Sequence, residues 1–253
     1  MIRVIKPVNI PVILKEKGDA ADAKNRVAYN KNPKLYKDGK PMLIDPNIYN
    51  HPSVKQILKK AQHNKCCFCE KDQGDEYGAI EHYRPKNGYQ SARKQKLKTP
   101  GYYWLCYSWD NLYFVCSACN TTKANLFPLV KEFNRATSHK KNIDKESPKL
   151  IDPGGKKDPR NHIVFDAQFV RGKTPLGKKT IEICGLNRDA LNEKRKELID
   201  DISLCLKIVQ KSLGNEKEVV DLAKQFLEDC QKPTAMFSAT AIDYINQTKS
   251  AII

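Results

Sequence analysis

Five of the nine cysteines fall in two tight groups, Cys66, Cys67 and Cys69 in "KCCFCE" and Cys116 and Cys119 in "VCSACN". A C-x-x-C pair forms a knuckle that aims both sulfurs at one ion, so Cys66, Cys69, Cys116 and Cys119 offer four thiolates to a tetrahedral zinc. Cys67 competes for the first position, but its spacing to Cys69 is one residue short, which favours Cys66. Four thiolates close the coordination sphere, so this zinc is expected to be structural and the chemistry to lie elsewhere. Between and just after the knuckles stand Glu81 beside His82 in "AIEHYRPK", Asn111 at the head of "NLYFVC", Asn120, and Lys123 one turn later. Each has an ordinary explanation when taken singly: a solvated acid–histidine pair, a turn cap, a helix N-cap.

Their order changes the balance. Strand, loop, strand and helix, with an acid–histidine pair on the first strand and asparagine on the helix, resembles the ββα-metal motif of HNH endonucleases. The resemblance implies that His82 is the general base that activates water and that Glu81 binds a divalent ion. It gives Asn111 the role of pinning the loop and orienting the histidine. Asn120 stands where that motif often has histidine and would serve as a neutral ligand, and Lys123 could stabilise the pentavalent phosphate. The residue types suit phosphodiester hydrolysis, because a histidine titrating near neutrality can take a proton from water. Hard oxygen ligands from Glu81 and Asn120 favour Mg²⁺ or Mn²⁺, whereas the thiolates select zinc, so two metal sites can coexist.

The elements that must position these groups are partly readable. Residues 1 to about 50 show little periodicity and are expected to form an arm or strand followed by irregular structure. "VKQILKKAQ" has helical spacing, with Ser53 as its expected cap. "AIEHY" and "NLYFVC" read as strands, "YYWLCYSW" as a short helix or a strand, and "NTTKANLF" as the start of a helix. Residues 131–175 look loop-rich, with "DPGGKKDPRNH" the strongest turn signal. Beyond 176 the pattern is helical, with an apolar face through Leu191, Leu198, Ile202, Leu206 and Val209, a break at Gly214–Asn215 and a last helix after Pro233. The expected fold is therefore α+β: an arm and helix over 1–62, a ββα-metal core clamped by the cysteines over 63–130, a connection over 131–175 and a helical region over 176–253.

The 253 residues carry 45 Lys plus Arg against 29 Asp plus Glu, a formal charge of +16 that suits a polyanionic partner. The basic stretch "RPKNGYQSARKQKLK" lies beside the Glu81–His82 pair and is expected to be an exposed loop, with Arg84, Lys86, Arg93 and Lys94 as candidate phosphate contacts. No apolar run approaches the roughly 20 residues that span a bilayer, so no membrane role and a cytoplasmic location are expected. Reduced thiols fit that compartment, and Cys106, Cys184, Cys205 and Cys230 are expected as small buried side chains.

The phrases "MIRVIKP", "KCCFCE", "IEHYRPK", "YYWLCYSWDNL", "VCSACNTTK", "LIDP" and "GLNRDAL" together resemble the PtuB-like HNH nucleases of Septu-type anti-phage systems, which also occur with some retrons. That resemblance implies an ATPase partner of ABC or SMC type (PtuA-like), a DNA, RNA or tRNA substrate, and in a retron setting a reverse transcriptase with its DNA. The C-terminal helices are then the candidate partner surface. A non-catalytic, zinc-stabilised module that binds nucleic acid or protein is the alternative reading.

Overall fold

The computed structural model describes residues 1–74, 77–211 and 217–250; the expected break at Gly214–Asn215 lies outside them. The chain is α+β, with a four-cysteine cluster that could bind zinc. An extended arm leads into a π-helical turn, Leu14–Gly18, that continues as α1 (Asp19–Lys31). Three short helices follow, α2 (Pro33–Lys37), α3 (Pro46–Tyr49) and α4 (Pro52–Ala61). All three start on a polar cap followed by proline, whose missing N–H is unneeded in a first turn. Asn32 accepts from Leu35 N, Asp45 from Asn47 N and His51 from Ser53 N. Ser53 is therefore the donor in this cap and His51 the acceptor, which corrects the expected cap.

Strands β1 (Ala79–His82) and β2 (Leu112–Val115) pair antiparallel with Glu81 opposite Tyr113 and His82 opposite Leu112. The segment between them holds two 3₁₀ turns, Tyr103–Leu105 and Trp109–Asn111. Helix α5 (Ser117–Lys123) begins inside the second knuckle, three residues before the expected start at Asn120. Every residue of β2 is buried because both faces of the hairpin are covered. Tyr113 and Val115 enter the main core with the knuckle cysteines, Phe127 and Phe165. Ile80, Leu112 and Phe114 enter a second core with Leu14, Val54 and Leu58 from the N-terminal helices. The two-residue period of a strand sorts them in this way.

The 131–175 connection contains a second hairpin, β3 (Ile163–Asp166) with β4 (Phe169–Gly172). Helices α6 (Pro175–Cys184), α7 (Asp189–Lys211), α8 (Lys217–Asp229) and α9 (Ser238–Ser250) follow. Helix α6 packs on β4 and α9 on β3, while α8 and α9 pack on α7. Ile202, Leu206, Cys230, Ala241 and Ile245 form the core of this helical unit. No helix among the described residues is long and apolar enough to cross a membrane.

Candidate metal centre and hydrolytic site

The sulfurs of Cys66, Cys69, Cys116 and Cys119 all lie within 4.8 Å of one another, and all four residues are buried. In the second knuckle, Cys116 caps α5 by accepting from Cys119 N at 3.4 Å. The first is tied to the hairpin, since Cys67 N donates to Phe114 O at 3.1 Å. Gln62 fastens the same point, donating from Nε2 to Phe114 O and accepting from Phe114 N. Cys67 itself stands outside the four-sulfur group. S–H donation from Cys119, Cys66 and Cys69 drives Cys116 to the thiolate. Burial raises Cys66, and the Cys116 hydrogen bond raises Cys69 and Cys119. Such a proton-sharing sulfur cluster has the donor set that a soft divalent ion converts to four thiolates, and zinc fits it.

Along β1, Glu81 and His82 point to opposite faces of the strand. Glu81 faces α5, where Oε1 accepts from Lys123 Nζ; Lys123 also donates to His82 O at 3.1 Å. Lys123 is 0% exposed. Its ammonium is thus committed to the protein, where the sequence suggested a contact to phosphate. Glu81 Oε2 accepts no hydrogen bond among the described residues, nor does the Asn120 side chain, one turn before Lys123. Carboxylate and amide oxygens are of the hard type that suits Mg²⁺ or Mn²⁺.

His82 lies on the other face, 4% exposed, with its ring edge-on to Tyr49 at 4.7 Å. Its Nε2 is 2.9 Å from Cys106 O. A carbonyl only accepts, so Nε2 carries the proton and Nδ1 keeps the lone pair. Burial pulls the imidazole well below its usual pKa, and the Lys86 and Lys123 charges add to this. Lys86 lies over the Tyr49 ring at 4.9 Å, and burial lowers its own pKa.

Asn111 is buried at the head of β2 and holds the backbone around the histidine. Its Oδ1 accepts from Arg84 N at 2.7 Å, while Nδ2 donates to Arg84 O at 3.1 Å and Leu105 O at 3.0 Å. Leu105 directly precedes the carbonyl that orients His82. The turn carrying Asn111 is itself held by Lys6, whose Nζ donates to the carbonyls of Trp109, Asp110 and Leu112.

The basic stretch divides. Arg84 donates to Glu146 at 3.1 Å and stacks among Tyr83, Tyr102 and Phe127. Arg93 donates to the carbonyls of Thr122, Glu182 and Ile183. Both are structural fastenings. Arg93 is nonetheless exposed, as are Lys94, Lys96 and Lys98, whose ammonium groups make no hydrogen bond among the described residues. Tyr49, Lys6 and the Cys106 carbonyl escaped the sequence reading, because nothing in "NIYNHP" or in a backbone oxygen signals proximity to a histidine.

No family model matches the chain. It is similar to the Septu protein PtuB of Bacillus mycoides (strain KBAB4), 31% identical over 233 residues that cover 81% of this chain and 78% of that protein. The Septu protein PtuB of Bacillus thuringiensis is 26% identical over 144 residues, 56% of this chain and 44% of that one. A Septu protein PtuA of Bacillus mycoides is 28% identical over 154 residues, 60% of this chain but 22% of that longer protein. On the identity and the length shared with the first of these, the chain belongs to the PtuB family of Septu proteins.

Proposed function

We propose that this PtuB-family chain is an HNH nuclease that hydrolyses phosphodiester bonds of DNA or RNA in bacterial anti-phage defence, working with a PtuA-like ATPase of ABC or SMC type. The observation that carries the reading is His82. A neutral imidazole held at Nε2 by the Cys106 carbonyl presents Nδ1 as a base at the end of the strand that also carries Glu81. His82 takes the proton from water at Nδ1, and Asn111 keeps the Leu105–Cys106 backbone in place while it does so. Glu81 Oε2 and Asn120 Oδ1 would hold Mg²⁺ or Mn²⁺. When bound, that ion neutralises charge on the phosphate and the leaving oxygen. Lys123 fixes the Glu81 carboxylate and the His82 carbonyl, which makes it a positioning residue. The exposed Lys94 and its neighbours contact the phosphate backbone.

The defence role and a PtuA-like partner are supported by the Septu names of the relatives, one of which is called PtuA. In a retron setting, a reverse transcriptase with its DNA would join the complex. A second reading, a zinc-stabilised binding module without catalysis, is favoured by one observation: the Lys123 ammonium already sits on the Glu81 carboxylate. Labelled DNA and RNA incubated in Mg²⁺ or Mn²⁺, with and without the ATPase, separate the two. Cleavage by the wild type and its loss in His82→Ala are expected. Equal cleavage by both proteins would remove His82 from the mechanism, and no cleavage in any condition would leave the binding module.

A further inference from the structure

The sulfur cluster has a partner outside the ββα unit. Arg188, in the turn between α6 and α7, donates from Nη1 to Cys119 Sγ at 3.4 Å. Its Nη2 reaches Cys119 Sγ at 3.5 Å and Cys116 Sγ at 3.8 Å. The same Nη1 lies 3.1 Å from Gly185 O and 3.5 Å from Cys184 O, so the guanidinium joins the end of α6 to the second knuckle. That junction is tight. Gly185 has φ +59°, and a Cβ there would lie 2.8 Å from Thr122 Cγ2 on α5.

Arg195 lies on α7, seven residues beyond Arg188. It is 0% exposed, yet Nε and Nη2 have no hydrogen-bond partner among the described residues. Its Nη1 donates to Leu186 O, Gln168 O and Asn192 Oδ1, and Phe165 and Phe237 flank the guanidinium. A buried cation whose hydrogen bonds go only to neutral groups is strongly unfavourable unless an anion lies nearby. The anionic groups that act on Arg195 are the Cys69 and Cys119 sulfurs and the Glu70 carboxylate, and Glu70 is already paired with the Met1 ammonium and Lys65. One divalent ion with four thiolates carries two net negative charges, and Arg188 and Arg195 bring two positive ones.

We propose that Arg188, with Arg195 behind it, balances the charge of the metal–thiolate centre, so that the ion held by Cys66, Cys69, Cys116 and Cys119 also docks α7 onto the ββα unit. The inference rests on that four-cysteine site holding a metal. An ion with no open coordination position thereby gains a second role, since its occupancy sets whether the C-terminal helices stay seated. Outer partners of this kind commonly govern metal affinity by 10–100-fold.

The test uses the full chain loaded with Co²⁺, followed by competition with Zn²⁺ and a chelator, for the wild type, Arg188→Gln and Arg188→Lys. The wild type should show the absorption of a tetrathiolate Co²⁺ centre. In Arg188→Gln the thiolate-to-metal band should move to longer wavelength, because loss of N–H···S bonds raises the sulfur orbitals, and zinc affinity should fall about 10–100-fold. Arg188→Lys should recover part of both, since it restores the charge without the fork. Hydrogen exchange on the wild type adds a readout that needs no variant: chelation should deprotect amides 186–200. Unchanged band, affinity and exchange would overturn the coupling while leaving the metal site standing. Absence of tetrathiolate absorption in the wild type would remove the metal site itself.

Discussion

Burial and two lysines, with no carboxylate partner on the ring among the described residues, fix the protonation of His82. With its pKa pulled well below the usual 6.5, the imidazole is neutral and able to accept a proton throughout the neutral range. The acid limb of a cleavage pH profile is therefore expected below pH 6.5. Removing the Lys86 charge in Lys86→Gln should move that limb upward, because a nearby cation disfavours the imidazolium. A limb that stays fixed or moves down, measured with Mg²⁺ saturating, would refute this assignment. The same burial acts on folding: the unfolded chain binds a proton near pH 6.5 that the folded histidine refuses, so His82 contributes a loss of stability as pH falls below that value. Asn111 makes three hydrogen bonds to the backbone of Arg84 and Leu105. Asn111→Ala leaves those groups unpaired in the core and should cost about 2–4 kcal/mol in denaturant unfolding.

At the scale of elements, the β1–β2 hairpin is held by packing on both faces and by the knuckles at its ends. Cys66→Ser or Cys119→Ser should lose bound zinc, measured by elemental analysis, and lower the melting temperature, since structural metal contributes directly to folding. Retained zinc and unchanged melting in both variants would contradict a four-cysteine site. A separate contact seats α6: a Cβ on Gly177 would stand 1.9 Å from His162 O, so Gly177→Ala must push the helix off the second hairpin. It should destabilise by about 1–3 kcal/mol, read by thermal unfolding. How much of this was legible follows from pattern strength. "LYFV" is an unbroken run of strand-forming apolar residues and "VKQILKKAQ" has a clear helical period, and they formed the expected strand and helix. Helix α1 is mostly polar and buries only Asn25 and Tyr29, so it has almost no apolar stripe to read. β3 and β4 are no shorter than β2, but "IVFD" and "FVRG" are each broken by charged or glycine positions and lie among strong turn signals. The Lys123–Glu81 pair spans 42 positions, a contact that local pattern does not encode.

For the molecule as a whole, the +16 charge matters only where cations are free to meet phosphate. Arg93 and Lys94 are sequence neighbours with opposite commitments. Both are exposed, but the Arg93 fork ties the α5 carbonyl of Thr122 to the α6 carbonyls of Glu182 and Ile183, whereas the Lys94 ammonium, at a turn with φ +64°, makes no hydrogen bond among the described residues. Binding of a labelled strand to the His82→Ala protein, measured against salt concentration, should separate them. If Lys94 contacts one phosphate, Lys94→Gln should reduce the slope of log K against log salt by about 0.9 on duplex DNA or about 0.7 on a single strand, with melting unchanged. Arg93→Gln should lower the melting temperature and change the slope less than Lys94→Gln, because its N–H groups are already taken by carbonyls on two helices and are not free to bind a phosphate. A reversed pattern, with Arg93 setting the slope and Lys94 the stability, would mean that the substrate approaches across the α5–α6 junction. That path would run close to Arg188 and the sulfur cluster, away from the His82 face of the strand.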